Sequence, residues 1–277
     1  MQLDDRLQAL VDFVPAGCRA ADIGTDHGYL AIALIKTGKA SFVVAGDLNQ
    51  GPYEAAKRTV REQAFSAEQI SVRLGDGLRV LKPGEVDTVC IAGMGGILMT
   101  QIMEQSMDVT RKLSTLVLQP MNGTRELRSW LYAHDWHIAD EKLAVDDGRI
   151  YEIIKAERGC RKKPAALDLL IGPVLWEKKP RLLRHHIESL VFQQRRVLNG
   201  MEKSPRAVKS KKYAVVKQEL KELEERLKWQ NVRKSWMPWS VLRRNVWQRN
   251  GTIPACWWEH GIRTSQRYWS ALMSAMR

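Results

Sequence analysis

Cysteine is scarce, with four residues in a chain of 277. Cys18, Cys90, Cys160 and Cys256 are scattered without the paired spacing of a metal site, which predicts reduced, structural thiols rather than a disulfide framework or a zinc cluster. His185 and His186 are adjacent on a helical stretch and so point to different sides, which removes the other candidate metal pair. No apolar run reaches the length needed to span a bilayer, and no charged-then-apolar leader opens the chain. These absences predict a soluble, cytoplasmic protein with neither metal nor membrane partner. Internal repeats and low-complexity tracts are missing from the first half, and the length accommodates one sizeable core plus a small second unit.

Strand-like segments are plentiful by contrast. Residues 20–23, 41–47, 70–74, 86–92 and 115–118 are near-continuously hydrophobic, and each runs into Gly, Asp or Pro. That pattern suits a parallel sheet covered by helices on both faces, with the ligand site along the strands' carboxyl ends. Residues 3–14 form an amphipathic opening helix and 125–133 another. Residues 136–145 and 149–156 read as two strands joined by the hairpin signal Asp146-Asp147-Gly148, so the sheet should close with an antiparallel pair.

The first strand leads into Asp22-Ile23-Gly24-Thr25-Asp26-His27-Gly28-Tyr29-Leu30. Two glycines let the backbone turn sharply, and the following helix start places N–H groups beside a bound nucleotide or amino-acid group. Asp47 closes the second strand where a ribose-binding acid belongs, about 20 residues further on. The plain alternative is that it caps the next helix, because Asn49-Gln50-Gly51-Pro52 is good helix-start chemistry, but strand-end carboxylates in this fold face the crevice, which favours the ribose. The turn is Gly-x-x-x-Gly rather than Gly-x-Gly-x-x-Gly, and Asp26 between its glycines would repel a pyrophosphate, which argues against a dinucleotide. An acidic turn suits a ligand carrying a sulfonium and an ammonium, and Asp76 after the third strand is placed to accept from an adenine amino group. The combination resembles a class I methyltransferase.

Six motifs in order sharpen this. Asp22 through Leu30, Gly51-Pro52, Arg73-Leu74-Gly75-Asp76-Gly77-Leu78, Ile91-Ala92-Gly93-Met94-Gly95-Gly96, Leu118-Gln119-Pro120-Met121 and Ile150-Tyr151-Glu152-Ile153 together resemble the bacterial TrmK-type tRNA (adenine-22-N1)-methyltransferases, through about Lys228. The resemblance implies methyl transfer from S-adenosylmethionine to N1 of an adenine in the D-arm region of tRNA. It also implies a Rossmann-like domain followed by a helical extension. The expected cofactor contacts are Asp22, Gly24, Thr25, Asp26, Gly28, Asp47, Leu48, Gly75, Asp76, Gly77, Ala92, Gly93 and Met94. The expected substrate contacts are Tyr29, Met94, Gly95, Gly96, Gln119, Pro120 and Arg125.

Methylation of N1 needs no strong base, because the nitrogen already offers a lone pair; alignment and electrostatics dominate. The product base is cationic, so Asp26 is the first catalytic candidate and His27 the second. Asp26 could instead bind the methionine ammonium or cap the helix. Many base-N-methyltransferases carry Asn/Asp-Pro-Pro-aromatic after strand four, whereas Gly93-Met94-Gly95-Gly96 has no side-chain amide. Backbone carbonyls would then grip the base, with Tyr29 and Met94 as stacking faces. A core position for Tyr29 is the plain alternative. The competing functions are a methyltransferase of a protein or small molecule, and a catalytically silent RNA-binding module.

Charge supports a polyanionic partner, with 44 basic against 31 acidic residues and a net charge of +13. Basic residues cluster from Arg158 through Lys163 and again from Lys178 to Lys212; the basic flanks of the helical extension are assigned to tRNA, with a solvated helical surface as the plain alternative. Leu182, Leu183, Ile187, Leu190, Val191 and Leu198, then Tyr213, Val216, Leu220, Leu223 and Leu227, recur at helical spacing and predict an antiparallel coiled-coil hairpin, with 203–212 as an exposed loop. Seven of the ten tryptophans and seven of the thirteen net positive charges fall after Lys228, which discounts the charge argument to about +6 for the rest of the chain. Neither helix nor strand period persists there, so the segment reads as a non-native extension such as a shifted reading frame; base stacking or a membrane surface are the other readings. The expected domains are 1–158 for cofactor and methyl transfer, 159–228 for the helical extension and 229–277 for the tail, in a monomer or weak dimer.

Overall fold

The computed structural model describes residues 3–235, in a chain that divides into compact units 1–224 and 225–277. Helix α1 (Asp5–Phe13) opens on Asp4, whose carboxylate accepts from Leu7 N at 2.6 Å. Then come β1 (Cys18–Ile23), α2 (Tyr29–Lys36), β2 (Ala40–Asp47), α3 (Gln50–Glu62), β3 (Ile70–Leu74), β4 (Thr88–Met94), α4 (Gly96–Glu104), α5 (Met107–Thr110), β5 (Thr115–Pro120), α6 (Thr124–Ala133), β6 (Trp136–Asp146) and β7 (Arg149–Arg158). The seven strands make one sheet in the order β3-β2-β1-β4-β5-β7-β6. β1 to β5 are parallel, and β7 runs antiparallel between β5 and β6. The anticipated antiparallel closure is therefore present. The chain steps outward from β1 through β3 and returns to β4 on the other side, so the switch point between β1 and β4 opens the crevice in which such folds hold ligands.

Alternation of side chains explains why these strands read as unbroken apolar runs. Val89, Ile91, Leu116 and Leu118 face one core with Met99, Met103, Leu127 and Leu131 of α4 and α6. Cys90 and Val117 face the other, with Leu10 of α1 and Ile32 and Leu34 of α2. Cys18 and Cys90 are buried and Cys160 is exposed; all three are free thiols.

The extension holds α7 (Ala166–Ile171), α8 (Pro173–Lys178), α9 (Leu183–Glu202), α10 (Pro205–Val208) and α11 (Lys211–Ser235). α9 and α11 form an antiparallel hairpin: Glu202 accepts from Tyr213 at 3.1 Å, Glu219 from Gln194 at 3.3 Å, and Glu224 pairs with Arg195 at 2.6 Å. Leu190, Leu198, Val216 and Leu223 are buried. The expected loop at 203–212 contains one helical turn, because Pro205 sits at its first position where its missing N–H costs nothing. α7 and α8, six residues each, are too short to display a helical period and were not anticipated.

A buried charge cluster joins this extension to α6. Arg128 is fully buried, with its guanidinium 2.7 Å from Glu141 and 2.5 Å from Glu152. It also donates to the carbonyl oxygens of Leu169 at 3.0 Å and Leu170 at 3.4 Å. Burial opposes the charge on Glu152, yet Arg128 and His186 outweigh it and hold that carboxyl below its ordinary range. Stranding either carboxylate by truncating Arg128 would cost on the order of 3–5 kcal/mol.

Among the described residues, no helix is long and apolar enough to cross a membrane and no group of three or more ligating side chains could hold a metal ion. The tail expected from 229, without helical period, is corrected at its start, because α11 runs on to Ser235; its remainder, 236–277, and Cys256 lie outside the described residues.

Candidate functional site

The carboxyl ends of β1 to β4 converge on one rim. At the end of β1 the chain reverses through Gly24, with φ of +78°, and Gly28, with φ of +76°, before α2 begins at Tyr29. Asp26 between them adopts φ of +52°, a conformation rare for a non-glycine residue. The N–H groups of Gly24 and Thr25 donate to Gly46 O at 2.8 and 3.1 Å, which pins this turn against β2. A Cβ on Gly24 would overlap the Met94 methyl, so glycine there is what lets Met94 of the β4 turn lie against the β1 turn.

Asp22 is buried at the base of the rim and accepts from Thr25 Oγ1 at 2.7 Å. Desolvation pushes its carboxyl up to about 6; the bonds from Thr25 and the Ala31 amide oppose the shift, while the charges on Asp47 and Asp26 add to it. Asp47, also buried, accepts from Asn49 N at 2.9 Å through Oδ1 and from Asp26 N at 3.3 Å through Oδ2. The helix-capping expectation for Asp47 is corrected: α3 has Asn49 at its cap position and no capping side chain, and the Asp47 carboxylate instead holds the β2–α3 turn through Asn49 N and faces the β1–α2 turn. Leu48 beside it is 62% exposed. Gly75, Asp76 and Gly77 follow β3, where Gly75 N donates to Asp47 O at 2.8 Å and Asp76 pairs with Arg79 at 3.3 Å.

Asp26, His27 and Tyr29 form an open cluster at the mouth. His27 Nε2 lies 3.7 Å from Asp26 Oδ1, and the His27 and Tyr29 rings stack with centroids 5.5 Å apart. Tyr29 is 43% exposed, so it is not a core residue and its ring is available to a planar ligand.

The β4–α4 and β5–α6 turns lock together beside this mouth. Gly96 N donates to Asn122 O and Met121 N to Met94 O, both at 2.8 Å. Ala92, Gly93, Met94, Gly95 and Gly96 all belong to that turn and its approach. Gln119, expected at the base, is corrected: it is fully buried. Its Oε1 accepts from Gly93 N and Arg6 Nη1, both at 3.1 Å, and its Nε2 donates to Pro120 O at 3.0 Å. It braces the turn from inside, because a polar side chain at the end of a buried strand must spend its donors and acceptors on the backbone. Pro120 is buried too. Arg125 sits on α6 and pairs with Glu219 of α11 at 2.6 Å. It lines a trough of about 850 Å³ with Met121, Asn122, Tyr151, His186 and Gln193, between the β5–α6 turn and α9. Neither this trough nor the Arg128 cluster was found from the sequence; a buried arginine flanked by distant glutamates carries no local pattern.

The donor set fits a cationic nucleoside: the buried carboxylates of Asp22 and Asp47 from β1 and β2, the exposed Asp26 between them, and the glycine turn after β4. Fold and rim together define a class I methyltransferase. A family model described as TrmK, tRNA (adenine(22)-N(1))-methyltransferase, matches residues 20–226, and the chain belongs to that family. A Bacillus subtilis tRNA (adenine(22)-N(1))-methyltransferase is 40% identical over 186 residues, 65% of this chain and 77% of that protein. The solved B. subtilis m1A22 tRNA methyltransferase TrmK superposes with a TM-score of 0.69 at 34% identity, covering 82% of this chain and 96% of that one. A Streptococcus pneumoniae putative tRNA (m1A22) methyltransferase in complex with S-adenosyl-L-methionine gives 0.73 at 29% identity, covering 82% and 100%.

Proposed function

We infer that this chain transfers a methyl group from S-adenosylmethionine to N1 of adenine 22 in tRNA. The observation that carries the reading is the pairing of an acidic rim at the β1/β4 switch point with an exposed His27–Tyr29 stack at its mouth, in a chain whose family match spans 20–226.

S-adenosylmethionine supplies an electrophilic methyl group on a sulfonium. Asp47 accepts from the ribose hydroxyls, and the β1–α2 turn with Asp22 beneath it favours the positive charge of the donor. The backbone at Gly93–Gly96 receives the exocyclic amine of the base, and Tyr29 and Met94 bracket its ring. Asp26 stands at the mouth, where the positive charge of the methylated ring is offset by a carboxylate. In this arrangement the residues align the two reactants and supply compensating charge, and no side chain has to remove a proton before the bond to N1 forms. The basic flanks of the extension hold the RNA backbone, and the trough beside α9 gives the strand its approach to the mouth.

Incubation with labelled S-adenosylmethionine and unmodified tRNA should put label into RNA carrying adenine at position 22, and none into the same RNA with guanine there. Label in both RNAs would contradict the assigned position; label in neither, with transfer to a protein or metabolite, would favour the alternative substrates.

A further inference from the structure

α6 has two mechanical attachments. Its first residues follow Asn122 and Gly123, which pack against Gly95 and Gly96 of the methyl-transfer rim. One turn further along, Arg128 grips the extension: it reaches Leu169 O and Leu170 O of α7. Its partner Glu141 accepts from Val174 N at 2.8 Å and Leu175 N at 3.2 Å where α8 begins. His186 of α9 donates through Nε2 to Ile171 O at 2.9 Å and lies 3.7 Å from Glu152, the second carboxylate on Arg128. The chain approaches this cluster so closely at Gly172, with φ of +107°, that a Cβ there would fall 2.9 Å from Arg128 and 3.0 Å from Glu141. Arg125 adds a tie to Glu219 of α11 at 2.6 Å.

A buried ion cluster of this kind is a weak stabiliser compared with apolar packing, but a guanidinium fork fixes direction, because each donor must meet its own acceptor. We propose that Arg128 is a positioning residue for methyl transfer, setting the helical extension in register with the rim so that RNA held on the extension delivers its base to the Gly93–Gly96 turn. This rests on the RNA-methylating reading above. Arg128 touches neither donor nor base; it acts through α6, α7 and α8.

The test is Arg128→Lys, which keeps the charge but cannot serve two carboxylates and two carbonyls from one ammonium. Calorimetric affinity for S-adenosylmethionine and gel-shift affinity for unmodified tRNA should both stay within about threefold, while kcat falls at least about tenfold, the scale of loss set by small misplacement of reactants. Hydrogen exchange across residues 166–178 should quicken by a similar factor, with β1 to β4 unchanged. Glu152→Gln, which takes the charge from one of the two carboxylates on Arg128, should give a smaller loss of kcat at unchanged donor affinity, and it decides the matter if Arg128→Lys does not fold. Unchanged exchange in 166–178, unchanged kcat in both variants, or a kcat loss matched by an equal loss of donor affinity would overturn the proposal. Failure of the unaltered protein to label tRNA would instead overturn the RNA reading, while the exchange result would still decide whether Arg128 holds the extension in place.

Discussion

Replacing Gly96 with alanine should lower kcat for methyl transfer by about 100-fold or more, on the scale of a displacement of roughly 1 Å at the reacting centre. A Cβ on Gly96 would overlap the carbonyl oxygen of Gly123 and lie 2.8 Å from its carbon and 3.0 Å from Asn122 O. These are backbone atoms, so no rotamer change relieves the clash and the β4–α4 and β5–α6 turns must separate. The Gly96 N to Asn122 O bond lengthens or breaks, and the Gly93–Gly96 backbone loses its place beside the mouth. The β1 and β2 carboxylates are on other loops, so donor affinity should change by only a few-fold. Steady-state kinetics at saturating donor, alongside calorimetry, separates the two effects. Gly200→Ala, in α9 with open space around it, serves as the control and should leave both unchanged. Undiminished turnover in Gly96→Ala would mean that this turn does not form the base pocket.

Asp47→Ala should weaken S-adenosylmethionine binding by at least about tenfold, because hydrogen bonds to a charged acceptor contribute on the order of 1.5–3 kcal/mol each. Part of the loss would come through the turns, since Asp47 also receives Asn49 N and Asp26 N. Asp47→Asn keeps an acceptor and removes the charge, so it should fall between the two. The unaltered protein should show a second signature in the same calorimetric series. Burial has lifted Asp22 to about 6, so the free site is protonated there below that pH and ionised above it. A cationic donor favours the ionised form and lowers that pKa on binding. Affinity should therefore rise with pH up to about 6, by at most about tenfold per pH unit for one coupled proton, and level off above it. A flat profile between about pH 5 and 7 would remove Asp22 from the account.

Much of this was legible in the sequence because parallel strands covered on both faces leave long apolar runs, and the turns at their ends are written in glycine and aspartate. β3 lies where expected at 70–74; β4 runs two residues further than its apolar stretch, to Met94, because pairing with Pro120 carries the ladder into the glycine turn. The acidic rim was equally readable, since each carboxylate follows its own strand. Tyr29 could be placed on α2 but not on one side of it: a single aromatic at a helix start fits either core or mouth, and only its exposure and its stack on His27 in the folded chain distinguish them. Gln119 misled because it closes a strand beside the glycine turn, while its amide turns inward to Gly93. Arg128, Glu141 and Glu152 come from α6, β6 and β7, and an isolated arginine in an amphipathic helix reads as its solvent face until the partners are folded against it.

A crystal structure of the protein with S-adenosylmethionine should show the donor on the acidic carboxyl-end loops of β1 and β2, beside the Gly93–Gly96 turn, with its ribose on Asp47 and its sulfonium methyl facing the mouth between Tyr29 and Met94. Donor density elsewhere on the chain, or a ribose out of contact with Asp47, would rule out this placement.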